Sequence, residues 1–504
     1  MRSKLLIPLA FLTAGSATAQ GGAPLSAIDW LSDSVALPAA MPIPEAPSAP
    51  EPPVTDNALP EAITVTRLED LDAAPPGLFP AAARDLPQAP WSATELSELQ
   101  ARMGTLRPPH LATTQDLLHD LLAAQTDWPG SPDDAQLAFL ARIDGLLAVG
   151  AVDPARTLLD LAGREKPRNF RRWFDIALLT GQENAGCSAM RRLPEITPTY
   201  TARVFCLARG GDWPAAALTL ETATSLDVID AAAAERLRLF LDDLADTPTL
   251  PPPSRPTPLD FAIYGAVGEP LRTASLPLAF AHADLRPITG WKARIEAAER
   301  LTRAGAIPAR RLWEVYGERL PAASGGVWDR VDAVQRLDRA LETGDPGAVS
   351  SALPLAWAAL RDADLGQALA RQHAGALGRL PLTGDASRIA AEMALIDGRD
   401  PVSPLPPFLT ALHDASALDT VAETPLQVAI ADGLNTEDMP AASVAMIDEG
   451  RIGIALLDAI DLLDQGATGN LDALRHGLAL MRAAGQPERA RRAAIEIAIL
   501  EPPA

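Results

Sequence analysis

Residues 170–224 read FRRWFDIALLTGQENAGCSAMRRLPEITPTYTARVFCLARGGDWPAAALTLETAT. Apolar residues recur in this segment at helical spacing, and turns at Gly181 and Gly211 separate the apolar runs. Glycine adopts the left-handed conformation that ends one helix. A proline such as Pro214 then opens the next helix at its first position, where the missing N–H costs nothing. The segment therefore predicts consecutive helical hairpins.

The same arrangement returns along the chain, with a glycine turn followed within a few residues by a proline. The further glycine and proline pairs are Gly150 and Pro154, Gly305 and Pro308, Gly344 and Pro346, and Gly485 and Pro487. The first three glycine turns follow one another at roughly 30-residue intervals, near the tetratricopeptide length of about 34 residues, although the W-x₂-L-G-x₂-Y signature is absent. We predict an all-α, tetratricopeptide-like α-solenoid whose stacked hairpins form an elongated curved body. An irregular helical bundle with the same turns is the alternative.

Composition supports a helical array and excludes several partners. The 504 residues exceed what one core usually serves, and 48% of them are apolar but only 4% aromatic, so Ala and Leu must carry the packing. The formal charge of −22 argues against nucleic acid or anionic lipid as a main partner, because both require a basic face. No apolar run of about 18 residues is present, so no transmembrane span is predicted.

Residues 1–19 have the three zones of a secretory leader. Arg2 and Lys4 form the charged zone, residues 5–14 (LLIPLAFLTA) the apolar zone, and residues 17–19 the small-residue cleavage signal. We predict cleavage after Ala19 and a periplasmic or secreted protein. Removal of the leader would change the formal charge from −22 to −24.

Residues 20–90 are predicted to form a disordered, proline-rich tether. Residues 38–60 read PAAMPIPEAPSAPEPPVTDNALP, and proline at this density favours extended polyproline II over a packed core. Within the tether, Ile28, Trp30 and Leu31 would share a short helix. This peptide could dock on a partner protein or fold back onto the helical body.

Proline-rich breaks divide the rest of the chain. We predict a first helical block at 91–245, a linker at 246–258, a second block at 259–398 and a C-terminal block at 399–504. Residues 92–95 (SATE) have the pattern of a capping box, which predicts the start of the first helix.

The chain contains two cysteines, Cys187 and Cys206. They fall on neighbouring helices of consecutive predicted hairpins, and export would carry them to a compartment where disulfides persist. A bridge would close a loop of about 20 residues, worth on the order of 3 kcal/mol. No C-x-x-C motif is present, so a structural disulfide is favoured over a redox or nucleophilic pair, and two buried free thiols are the remaining alternative.

Sequence motifs for catalysis or cofactor binding are absent. The six histidines include no His-x₃-His or H-E-x-x-H pair, and the chain has no G-x-S-x-G elbow, phosphate loop or dinucleotide fingerprint. We therefore predict no catalytic residue, no cofactor and no metal site.

Two polar groups merit attention. Asp458, Asp461 and Asp464 recur every three residues, which predicts an amphipathic helix with an acidic outer face. The densest mixture of polar and aromatic residues consists of His282, Asp284 and Trp291, in AFAHADLRPITGW. These three are predicted to form either a packed turn between helices or a ligand groove.

Residues 168–335 resemble an uncharacterised group of secreted α-helical proteins of Gram-negative bacteria. The similarity is carried by FRRWFDIALL, PTYTARVFCLARGGDWPAAALTL, PPPSRPTPLDF, LPLAFAHADLR and AASGGVWDR. It implies export and a helical fold, and it implies no activity or cofactor.

Helical arrays usually bind other proteins on long concave surfaces. The sequence therefore favours a scaffold or adaptor, without catalysis, that holds an unidentified protein partner in a cell-envelope assembly. One alternative is a hydrolase or lyase that acts on cell-wall glycan and uses a glutamate whose pKa is raised in an apolar cleft. Another is a solute-binding module, which would require a closed pocket between the helical blocks.

Overall fold

The computed structural model describes residues 75–128, 130–242 and 251–500. Over these ranges the protein is all-α, with 23 α-helices, a few 3₁₀ turns and one pair of two-residue strands. The predicted leader, the first part of the tether and the peptide containing Ile28, Trp30 and Leu31 lie outside the described residues.

Nine helices precede the first proline-rich linker, and most of them pack on helices close to them in the chain. They are α1 (Leu96–Thr105), α2 (Ala112–Ala123), α3 (Pro132–Ala148), α4 (Val152–Leu161), α5 (Pro167–Leu179), α6 (Glu183–Arg192), α7 (Tyr200–Arg209), α8 (Trp213–Ser225) and α9 (Ala231–Leu241).

Eight helices follow the linker, and they continue the pairwise packing. They are α10 (Pro258–Ala266), α11 (Ala281–Asp284), α12 (Trp291–Arg303), α13 (Ala309–Tyr316), α14 (Val327–Thr343), α15 (Pro346–Arg361), α16 (Gly366–Leu377) and α17 (Gly384–Ile396). The first of them, α10, packs on both α9 and α5, so helices on the two sides of the linker are in contact.

Six helices form the C-terminal part. They are α18 (Pro407–His413), α19 (Pro425–Asn435), α20 (Ala441–Asp448), α21 (Ile452–Ala467), α22 (Leu471–Ala483) and α23 (Pro487–Leu500). Two glycines allow α19 and α21 to pack closely on α22. A Cβ at Gly466 of α21 would lie 2.8 Å from the Cα of Leu474 in α22. A Cβ at Gly433 of α19 would lie 2.8 Å from the carbonyl oxygen of Arg475 in α22.

The predicted glycine turns are confirmed, and the predicted proline positions are partly corrected. All six glycines have φ between 66° and 84°, in the left-handed region. Pro346 and Pro487 are the first residues of their helices, as predicted. Pro214 and Pro154 stand second and third, and Pro308 is the N-cap. All these sites tolerate proline because the first-turn N–H groups of a helix have no intrahelical acceptor.

The capping box predicted at residues 92–95 does not form. Helix α1 begins at Leu96 with Glu95 as its N-cap, and no side chain caps it. Residues 91–94 instead make a turn in which the Thr94 N–H donates to the carbonyl of Trp91, whose ring is fully buried. Burial of this large ring therefore determines the local backbone.

Residues 75–90, which the sequence placed in the tether, belong to the described body. Strand β1 (Phe79–Pro80) pairs in parallel with β2 (Ala124–Gln125), and the Leu78 N–H donates to the carbonyl of Ala123 at 2.8 Å. Leu86 is buried against the helices. This part of the chain thus packs beside the end of α2.

The first and last described elements pack against each other. Helix α23 packs on α2, and α21 packs on α2 as well. The Gly453 N–H donates to the carbonyl of Pro90 (2.7 Å), and Glu496 accepts from the Thr113 N–H (3.1 Å). An open array has contacts only between successive repeats. The contacts between adjacent helices are consistent with the predicted helical array, and the contacts of α21 and α23 with α2 additionally join the two ends of the described body.

The acidic stripe on α21 takes part in this closure. Arg102 of α1 donates to Asp458 and to Asp461, both at 2.9 Å, and the main-chain N–H of His110 donates to Asp464 at 2.6 Å. The predicted acidic outer face is therefore corrected: it is a contact surface for the N-terminal helices.

Candidate functional site

The three residues of the predicted groove do not converge. Nε2 of His282 donates to the carbonyl of Gly150 at 2.8 Å, and burial lowers the pKa of this histidine. Asp284 accepts from a threonine hydroxyl, and the Trp291 indole N–H donates to the carbonyl of Val315 at 2.8 Å. His282 alone of the three lines a surface groove of about 500 Å³. Ligand binding there stays a prediction.

The cysteine prediction is confirmed. Cys187 of α6 and Cys206 of α7 form a disulfide with their Cα atoms 5.0 Å apart, and both residues are buried. The bridge joins the second helix of one hairpin to the first helix of the next, which is the place predicted for it.

A larger cavity, of about 1120 Å³, lies where six segments meet. Its lining comes from the loop between α1 and α2, from the C-terminal ends of α3, α12 and α23, from the end of α15 with the turn into α16, and from residues 277–278. The lining therefore combines parts of all three predicted helical blocks. Its volume is slightly above the range of roughly 300–1,000 Å³ that is usual for pockets that hold drug-sized ligands.

Three arginines project from helix ends into the cavity lining. Arg300 and Arg303 belong to the last turn of α12, and Arg361 ends α15. Cations are favoured at these positions by the negative end of the helix dipole. Each guanidinium donates to main-chain carbonyl oxygens: Arg300 to Thr273 and Leu276 (2.8 and 2.7 Å), Arg303 to Ala363 (2.8 Å) and Arg361 to Leu500 (2.8 Å).

These carbonyl bonds hold the guanidinium groups without neutralising them. A guanidinium has five N–H donors, so each arginine keeps donors beyond those bonds. Burial lowers the pKa of Arg300, and the nearby charge of Arg303 lowers it further. The carboxylate closest to Arg303 is that of Asp364, at 4.0 Å and 81% exposed, where an ion pair is worth little. The lining contains four arginines and two aspartates, so positive charge exceeds negative charge here in a protein of formal charge −22.

A buried glutamine positions one wall of this cavity. The Gln115 amide donates to the carbonyl of Pro109 at 2.7 Å and to that of Arg303 at 2.8 Å. It thereby joins the loop that precedes α2 to the C-terminal end of α12. A Cβ at Gly305 would lie 2.5 Å from Oε1 of Gln115, so this bridge also requires the glycine.

Sequence reasoning did not find this cavity. Its arginines stand far apart in the chain, and an arginine in the last turn of a helix is an ordinary feature. Only the contact between terminal and central segments brings them together. One part of the sequence analysis is related to this cavity: the alternative of a solute-binding module requires a pocket between the helical blocks.

Comparisons with protein-family models, with curated proteins and with solved structures returned no match. The described chain is an all-helical protein of 23 helices packed in pairs. Its resemblance to secreted helical proteins stays a prediction. In the part of the chain described here, no helix combines the length and apolarity needed to cross a bilayer. No three His, Cys, Asp or Glu side chains within the same residues are grouped to hold a metal ion.

Proposed function

We propose that this protein is an exported binding protein for a small anionic solute. The observation that carries the proposal is the 1120 Å³ cavity, which four arginines line; three of them, Arg300, Arg303 and Arg361, donate to uncharged main-chain carbonyls. Charge-assisted hydrogen bonds from guanidinium groups to carboxylate or phosphate are among the strongest polar contacts in proteins. An anion in the cavity would also relieve the repulsion between Arg300 and Arg303.

Export is supported by two independent features. The N-terminal residues have the zones of a secretory leader, and the Cys187–Cys206 disulfide suits an oxidising compartment. Solute capture in the periplasm is a task for which a helical body with a cavity that is partly open to solvent is well adapted.

Thermal unfolding of the mature chain with inorganic phosphate, citrate or decanoate tests the binding proposal. A ligand that binds only the folded state raises the unfolding midpoint. We expect at least one of these anions to do so and Arg303→Gln to lose the effect. Arg336→Gln is the matched control, because Arg336 is exposed on α14 and pairs with Asp332 of the same helix. Equal shifts in both variants, or none in the parent protein, would contradict the proposal.

A scaffold in an envelope assembly is the second proposal, and one surface favours it. Helix α8 packs mainly on α7 and α9, and large apolar side chains of α8 and of the turn after it are exposed. Trp213, Leu218, Leu226 and Val228 are each about half-exposed or more there. Exposed apolar patches of this kind often mark protein interaction sites.

Site-specific photocrosslinking in the living envelope tests the scaffold. A crosslinker at position 218 should yield one discrete adduct, and the same crosslinker at the exposed position 336 should not. Identical adduct patterns at both positions would remove the support for α8. The glycan-hydrolase alternative gains no support from the cavity, since no glutamate is among the described residues that line it.

A further inference from the structure

The cavity of about 1120 Å³ is called the arginine cavity below. Charged and apolar side chains lie next to each other in its lining. The guanidinium carbon of Arg361 lies 5.8 Å from the ring centroid of Trp357, and the same side chain donates to the carbonyl of Leu500. A Cβ at Gly366 would lie 3.0 Å from Cδ2 of Leu500 and 3.6 Å from the Trp357 ring, so these groups surround one point. A carboxylate held by Arg361 would therefore extend the rest of its molecule along an apolar wall.

The apolar wall continues beyond this point. Leu106 and Leu278 line the same cavity, and Leu278 is almost completely buried. Orthophosphate or another small inorganic anion would leave most of a 1120 Å³ space and all of this wall without a partner. Burial of the wall by a hydrocarbon chain is favourable in proportion to the apolar area removed from water.

Two acidic residues of the lining favour a ligand of low negative charge. Asp362 and Asp364 follow Arg361 in the turn between α15 and α16 and belong to the cavity lining. Both side chains are exposed, so solvent weakens their effect, but each further negative charge on a ligand adds repulsion from these carboxylates. A ligand with one negative charge meets the least of that repulsion.

We infer, on the basis of the proposed binding function, that the ligand is a single-chain amphiphile with one carboxylate, in the class of medium- or long-chain fatty acids. The head group bonds to Arg361 and its neighbouring arginines, and the chain lies against Trp357, Leu278 and Leu106. The site takes one monomer from solution, so the acidic surface of the protein does not oppose binding as it would oppose docking to an anionic bilayer.

Equilibrium dialysis of the mature protein against three probes tests this inference. The probes are decanoate, its neutral counterpart decanol, and citrate, each below any micelle-forming concentration. We expect decanoate to bind at least about tenfold more tightly than either of the others, because one charge-assisted hydrogen bond alone is worth about tenfold.

Two variants test whether decanoate binds in this cavity. Arg361→Gln removes the head-group partner and should weaken decanoate binding about tenfold or more. Ala358→Trp fills the cavity from an exposed lining position and should abolish binding without disturbing the buried core. The control is again Arg336→Gln, which should bind as the parent protein does.

The outcomes separate the inference from the proposed function. Citrate binding that Arg361→Gln removes, without decanoate binding, would overturn the fatty-acid class and leave anion binding intact. Equal binding of decanol and decanoate would overturn both, since the arginines would then play no part. Absence of binding, or binding unaffected by both variants, would likewise overturn both.

Discussion

Gly453 shows how one residue joins the two ends of the described body. Its N–H donates to the carbonyl of Pro90, and a Cβ there would lie 2.5 Å from the Trp91 ring and 2.6 Å from the carbonyl oxygen of Pro90. We predict that Gly453→Ala lowers the free energy of unfolding by about 2 kcal/mol, because an extra methyl in a packed contact forces the neighbours apart. Urea unfolding followed by circular dichroism measures the change.

Gly104 provides the control for this substitution. It is exposed near the end of α1, and a Cβ there would meet nothing within 4 Å. Gly104→Ala should therefore raise the free energy of unfolding by about 0.5–1 kcal/mol through reduced chain entropy. Similar effects of the two substitutions would show that the contact with Trp91 does not determine stability.

Asp175 on α5 predicts a pH dependence. Burial raises its pKa from 3.8 to about 6, against the opposing charges of Arg171 and Arg172. A raised pKa means that the protonated form is favoured in the fold, so this contribution to stability is present below pH 3.8 and is lost as pH rises through about 6. Asp175→Asn should be more stable than the parent above pH 6, by up to about 3 kcal/mol, and should converge with it below about pH 4.

Unfolding midpoints in urea across this pH range measure the effect of Asp175→Asn. Asp472→Asn is the control, because the Asp472 carboxylate is 87% exposed. It should change stability little at any pH. A difference between Asp175→Asn and the parent that is independent of pH would show that ionisation of Asp175 is not its cause.

At the scale of elements, the disulfide connects α6 to α7 and so links two hairpins. Reduction of Cys187–Cys206 should lower the free energy of unfolding by about 3 kcal/mol, since it removes a constraint of about 20 residues from the unfolded chain. Thermal unfolding with and without reductant measures the loss. The Cys187→Ser, Cys206→Ser double variant should match the reduced parent and should itself be insensitive to reductant.

Most of the elements could be predicted from the sequence, because their signals are local. Each of the six glycine turns depends on one backbone conformation that glycine adopts without strain, and each was found. The start of α1 was misplaced because Trp91 is buried by α21, which lies far along the chain. Contacts of this kind override local capping patterns and leave no local signal.

At the scale of the whole molecule, sequence reasoning failed where distant segments meet. The acidic stripe of α21 has the pattern of a solvated helix face, and only the position of Arg102 in the folded protein makes it a contact. The arginine cavity was missed for the same reason. Periodicity identifies a helix and its apolar side, but it does not identify the helix that packs there.

Closure of the body has a measurable consequence for cooperativity. Glu496 of α23 is buried and accepts from the N–H and the hydroxyl of Thr113, at 3.1 and 2.5 Å. Glu496→Ala would leave both donors unpaired, at a cost of about 1–3 kcal/mol. We predict that amide hydrogen exchange accelerates roughly tenfold or more in α2, which lies more than 300 residues away in sequence.

This prediction separates a closed body from a linear array. In a linear array each repeat is stabilised by its neighbours in the chain, so a change in α23 would affect α22 and little else. Exchange confined to α22 and α23 would therefore contradict closure in solution. Glu488→Ala is the matched control on the same helix, because Glu488 is 74% exposed and pairs with Arg491 one turn away. It should leave exchange in α2 unchanged, so that an effect of Glu496→Ala there can be assigned to the contact with Thr113.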